Sequence, residues 1–183
     1  MACRTWMLAG MLVAIPALAE DVVFQGHTMQ VDASREARPI LGVRGVKYSI
    51  PGSATQILGK AEQCAARQPG AITGASVDPD NARLVADSRT NYRQKGQRSV
   101  RARMAVESAE GNFRVVFTEL ATSPADAVND APLVQQDGAG WESAVVALIG
   151  VEQAFLDVLA AAGPGGPAAG RAGDSCAHNE GPF

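Results

Sequence analysis

The stretch from Ser99 to Leu120 constrains the fold more than any other part of the chain. Val100, Ala102, Met104 and Val106 alternate with Ser99, Arg101, Arg103, Ala105 and Glu107. Successive side chains of a strand point to opposite faces, so this pattern predicts a strand with one apolar and one solvated side. After the turn sequence Glu110-Gly111-Asn112, Phe113, Val115 and Phe117 alternate with Arg114, Val116 and Thr118. Two such strands make a hairpin, and one-sided alternation belongs to an antiparallel sheet packed on a single face. Something apolar must cover that face.

Two segments have the period to do so. Ser53 can cap a helix from about Ala54 to Ala66, because its hydroxyl can accept from an unpaired first-turn amide. Ile57, Leu58, Ala61, Cys64 and Ala65 then share one face, and Gln68-Pro69-Gly70 ends the element. A second helix is expected from about Trp141 to Ala161, where Trp141, Val145, Leu148, Val151, Phe155 and Val158 recur at three- and four-residue steps. Further strands are expected at Val22–Val31, interrupted at Gly26, and at Val43–Ile50, Ile72–Val77 and Ala82–Asp87. Ser34–Pro39 and Ala121–Asp137 read as polar connections. Asp78-Pro79-Asp80-Asn81 is a turn, with Pro fixing φ and Asp and Asn bonding locally. The expected fold class is α+β: an antiparallel meander packed by two helices on one face.

The ends of the chain read differently. Arg4, the apolar run Met7–Ile15 and the small residues Ala17 and Ala19 form a secretory signal peptide, with the cut expected after Ala19. The run is shorter than the roughly 20 residues of a membrane span, so no transmembrane anchor is expected in the mature chain. From Gly163 the sequence is rich in Gly, Pro and Ala without apolar period, which predicts a flexible tail over 163–183 and a single domain over 20–162. The expected location is periplasmic or secreted. An oxidising compartment permits a disulfide between Cys64 and Cys176. The alternative is a buried Cys64 and an unpaired tail thiol, and spacing does not decide between them.

Charge excludes some functions. The 183-residue chain has a net charge of −3, and losing Arg4 with the leader makes it more negative. That argues against a general nucleic-acid binder. Residues 83–103 are locally basic, holding Arg83, Arg89, Arg93, Lys95, Arg98, Arg101 and Arg103 against Asp87 alone. Arg101, Arg103 and Arg114 fall on the solvated side of the expected hairpin and form a candidate anion- or partner-binding face. A charged, solvated sheet face with no binding role is the plainer reading of the same residues.

No catalytic constellation is legible. Gly59-Lys60 has Ala54 and Ala61 where a phosphate loop requires Gly and Ser or Thr. The two histidines, His27 and His178, are far apart, and Cys176-Ala177-His178 lacks a rigid second half-site, so no metal and no cofactor are expected. There is no Gly-x-Ser-x-Gly elbow, and a Cys64 on an apolar helix face would be inert. Paired carboxylates or His27 leave a small exported hydrolase as the alternative to a non-catalytic binding module.

Three pieces of the chain carry a family resemblance. They are VKYSIPGSATQILGKAEQCAA, DPDNARLVADSRTNY and SVRARMAVESAEGNFRVVFTELAT, spanning about residues 43–120. They resemble the domain-of-unknown-function family 4468, described as having a TBP-like fold. The resemblance implies a fold and brings no site residue, activity or cofactor with it. The expectation is therefore an exported, non-catalytic module whose partner is a protein, an envelope component or a small anion.

Overall fold

The computed structural model describes residues 19–68, 70–124, 130–135 and 139–161. The expected leader (apart from Ala19), the tail, Cys176 and His178 lie outside the described residues. Nine strands form one antiparallel sheet among the described residues, in the order β1-β2-β3-β8-β7-β6-β5, with β4 and β9 each adding a short pairing to β8.

The first strands, β1 (Ala19–Phe24) and β2 (His27–Asp32), form a hairpin. Its turn places Gln25 at φ 48° and Gly26 at φ 81°. Two consecutive positive φ values match the twist of a tight hairpin, and glycine adopts one without steric cost. The interruption expected at Gly26 is this turn. β3 (Ile40–Arg44) pairs with β2, but the single strand expected over Val43–Ile50 is two elements. The chain breaks at 45–47 and resumes as β4 (Tyr48–Ser49). Gly45 explains the break: a Cβ there would lie 2.4 Å from Oε1 of Glu152 and 3.1 Å from the Val115 carbonyl. The backbone crosses too close to its neighbours for any side chain.

The first helix, α1 (Ala54–Ala66), starts where its cap predicts. The Gln56 amide donates to Ser53 Oγ, and the Ser53 amide donates to Gln56 Oε1, a reciprocal capping box. Then follow β5 (Ile72–Asp78), β6 (Arg83–Arg93), β7 (Gln97–Ala109) and β8 (Asn112–Pro124). β6 runs six residues beyond the expected end at Asp87, because Ser88, Tyr92 and their neighbours stay in register with β7 up to Arg93–Gln97. β8 continues through part of the expected connection, and β9 (Ala131–Pro132) pairs with its end. Glu119 sits at φ 54°, beside the register shift between Arg101 and Arg103 that bends the β7–β8 ladder.

The meander expectation holds within β1–β2–β3 and within β5–β6–β7–β8. The two halves join through β3 and β8, which are distant in sequence. The second helix, α2 (Ala139–Ala161), packs on the same face as α1, over β6, β7 and β8. Between helices and sheet lie Met29, Val43, Ile57, Leu84, Met104, Phe117, Leu148 and Phe155, all fully buried. Length and composition would let α2 cross a membrane. Its stripe of Val145, Leu148, Val151 and Phe155 is instead spent on this core.

Candidate functional site

The alternation that set the fold also sets the site. Val100, Ala102, Met104 and Val106 of β7 face the helices, so Arg101, Arg103 and Glu107 face away from them. Register extends this outer face over the neighbouring strands. Arg83 stands opposite Glu107 and Glu107 opposite Arg114, while Asp87 stands opposite Arg103 and Arg89 opposite Arg101.

All three sequence-predicted arginines lie on this face, and each has a carboxylate partner. Arg114 Nε donates to Glu107 Oε2 at 2.6 Å. Arg103 Nη1 lies 3.9 Å from Glu119 Oε1. Arg101 forms an ion pair with Asp130. A hollow of about 310 Å³ on the same face is lined by Gly74, Ser76, Asp78, Arg83, Asp87 and Arg103, with both signs of charge present. There Asp78 is held below the ordinary Asp range, chiefly by hydrogen bonds from Asn81, and Arg83 Nε donates to it at 3.3 Å. This half of the face is neutralised internally.

The other end is not. Arg89 and Arg101 are like charges directly across a strand pair, an arrangement that is unfavourable by itself. Asp130 serves Arg101, whereas Arg89 Nη2 donates to the neutral hydroxyl of Ser99 at 3.3 Å. Ser99 in turn shares a hydrogen bond of 3.0 Å with Ser123. Arg93 follows on the same alternation, exposed, and among the described residues no carboxylate pairs with Arg89 or Arg93. At this end of β7 the Nε of Arg98 is buried with no hydrogen-bond partner among the described residues. The positive surplus is therefore around Arg89, Arg93 and Arg101, inside the basic run of the sequence, with its members that lack a carboxylate on β6. The signal was present in the basic run, but the carboxylates opposite Arg103 and Arg114 come from pairing that a linear reading does not resolve.

A second polar group lies on the opposite, helix-covered side. Glu152 of α2 is 1% exposed, and His27 at the start of β2 is 6% exposed. His27 Nε2 lies 2.7 Å from Glu152 Oε2, and its Nδ1 lies 3.1 Å from the Gln25 carbonyl. Tyr48 of β4 donates to Glu152 Oε1 at 3.0 Å. Burial first, and then the Glu152 charge and hydrogen bond, push the Tyr48 hydroxyl up to about 12. Both ring nitrogens of His27 are engaged within the fold. Among the described residues no group of three or more His, Cys, Asp and Glu is placed to hold a metal ion.

Cys64 is buried on α1, where its thiol donates to the Phe155 carbonyl at 3.5 Å. Its expected partner Cys176 lies outside the described residues.

No family model and no curated protein matches the chain. Solved structures do. A DUF4468 family protein from Bacteroides ovatus superposes with a TM-score of 0.52 at 11% identity, covering 70% of this chain and 90% of its own. A TBP-like protein from Parabacteroides distasonis superposes with a TM-score of 0.50 at 7% identity, covering 76% of this chain and 96% of its own. At such identities the likeness carries geometry and no site. The fold that the sequence resemblance implies is thus met in three dimensions: the chain has a TBP-like α+β fold, similar to that of the DUF4468 family protein, and the likeness is one of fold alone.

Proposed function

We propose that the protein is an exported, non-catalytic binding module that takes an anionic group of its partner on the outer sheet face, between Arg89, Arg93 and Arg101. The observation that carries this reading is the Arg89–Arg101 juxtaposition. Two guanidiniums side by side, of which only Arg101 has a carboxylate, Asp130, leave a positive surplus, and an incoming phosphate or carboxylate would relieve it with charge-assisted bonds. The buried pair Ser99–Ser123 beneath holds Arg89 in place, since Ser99 accepts from its Nη2.

The reading of export rests on the leader-like sequence of Arg4, Met7–Ile15, Ala17 and Ala19. Glu20 accepts from Arg38 Nη2 at 2.6 Å. A cut after Ala19 would therefore leave the hairpin and this ion pair in place. Expression in a Gram-negative host and sequencing of the amino terminus of the periplasmic protein tests it: Glu20 is the expected first residue, and an intact Met1 in the cytoplasm contradicts it.

The binding reading is tested by titrating the protein with inorganic phosphate and following backbone amide resonances. Shifts centred on Arg89, Ser99 and Arg101 that weaken at least tenfold in Arg89→Gln are expected. Absence of any saturable shift overturns the reading.

A further inference from the structure

We propose that the His27–Glu152 pair is a proton-operated latch that holds the tip of the β1–β2 hairpin against α2 and lets it go in acid. This goes beyond the binding reading and does not depend on it.

The hydrogen bonds define the latch. The Gln25 carbonyl can only accept, so Nδ1 of His27 must carry its proton. One further proton then occupies the 2.7 Å contact between Nε2 and Glu152 Oε2, and Tyr48 donates to the other carboxylate oxygen. Wherever that proton sits, the pair as a whole is neutral. Neutrality is what makes so dry a site tolerable, since an unpaired buried charge costs several kcal/mol.

Adding one proton in acid breaks that balance. The carboxylate becomes a neutral acid, and His27 is left as a buried cation. Glu152 has no way out, because it sits mid-helix on the row of Leu148, Val151 and Phe155 that packs the sheet. The neutral acid can stay, bonded to Tyr48. The hairpin tip can move: Gln25 and Gly26 are exposed, and the next residues that anchor β2 are the fully buried Met29 and Val31. Moving the tip takes the imidazolium into water, where its charge is solvated.

The movement has a built-in reporter. Phe24 at the tip packs edge-on against Trp141 with ring centroids 5.1 Å apart. Both elements also border a groove of about 470 Å³ lined by Gln25, Tyr92, Arg93, Glu142 and Val146. The charged and titratable groups around the tip are thus Glu152 and Tyr48 at the latch, Arg44 of β3 opposite Thr28, and Arg93 and Glu142 at the groove.

The test uses the full chain carrying Trp6→Phe, so that Trp141 is its only indole. Trp141 emission and amide exchange at residues 24–28 are followed as the pH is lowered from neutral, with far-ultraviolet circular dichroism to report global unfolding. The expected result is a reversible red shift with at least tenfold faster exchange at the tip, before global unfolding. His27→Gln, which removes the cation, abolishes this step, and Glu152→Gln, which removes the counter-charge, moves it to higher pH. The proposal is overturned if the tip opens only with global unfolding, or if Glu152→Gln leaves the step at its original pH. Persistence of the step in a folded His27→Gln protein overturns it equally.

Discussion

A glutamate in the middle of an apolar helix stripe ties α2 to β2, β4 and the segment after β3. Glu152 follows Leu148 by one helical turn and is among the least exposed residues of the chain. It meets His27, Tyr48 and the space above Gly45. The sequence pattern showed the apolar stripe and passed over Glu152, although a charge on a buried face always requires a partner. The partner is 125 residues away, and that separation hid it. Two predictions belong at this scale. Gly45→Ala forces a methyl group into Glu152 Oε1 and the Val115 carbonyl, and is expected to cost about 1–3 kcal/mol in denaturant unfolding. Tyr48 gives a pH dependence. Its hydroxyl ionises near 10 when unfolded and near 12 when folded. The stabilisation is fully present below pH about 10. It falls as pH rises towards 12, because only the unfolded chain releases the proton in that window. Tyr48→Phe should flatten this alkaline slope in melting temperature; an unchanged slope would contradict the assignment.

At the scale of elements, local chemistry was the most legible layer. The capping box at Ser53 and Gln56 and the alternation in β7 and β8 are written within a few residues; α1 stands where it is expected, and β7 and β8 cover their expected spans and extend beyond them. Ser53→Ala should therefore cost about 1 kcal/mol, read as a shift in unfolding midpoint without a change in slope. Phe155→Ala, from the fully buried row of α2, should cost about 3–5 kcal/mol. Trp141 lies only half-buried, against Phe24, so its replacement by Ala should cost less than that of Phe155. What the sequence did not disclose were features created by contact between distant elements. The split of β3 from β4 follows from the approach of Gly45 to α2 and β8, and the length of β6 follows from its ladder with β7.

At the scale of the whole molecule, two three- and four-stranded meanders join at β3 and β8 beneath two helices, which leaves one broad face open to solvent. The charge of that outer face is divided. Arg103 and Arg114 are matched by Glu119 and Glu107, while Arg89 and Arg93 have no carboxylate partner among the described residues. Which arginines of the basic run remain unspent depends on cross-strand pairing. Under the proposed function, position and not bulk charge confers anion binding. Arg89→Gln/Arg93→Gln and Arg103→Gln/Arg114→Gln each remove two positive charges, so a comparison of their affinities for inorganic phosphate separates the two explanations. The account predicts at least a tenfold loss for the Arg89/Arg93 pair and less than a threefold change for the Arg103/Arg114 pair; equal losses in the two would contradict it.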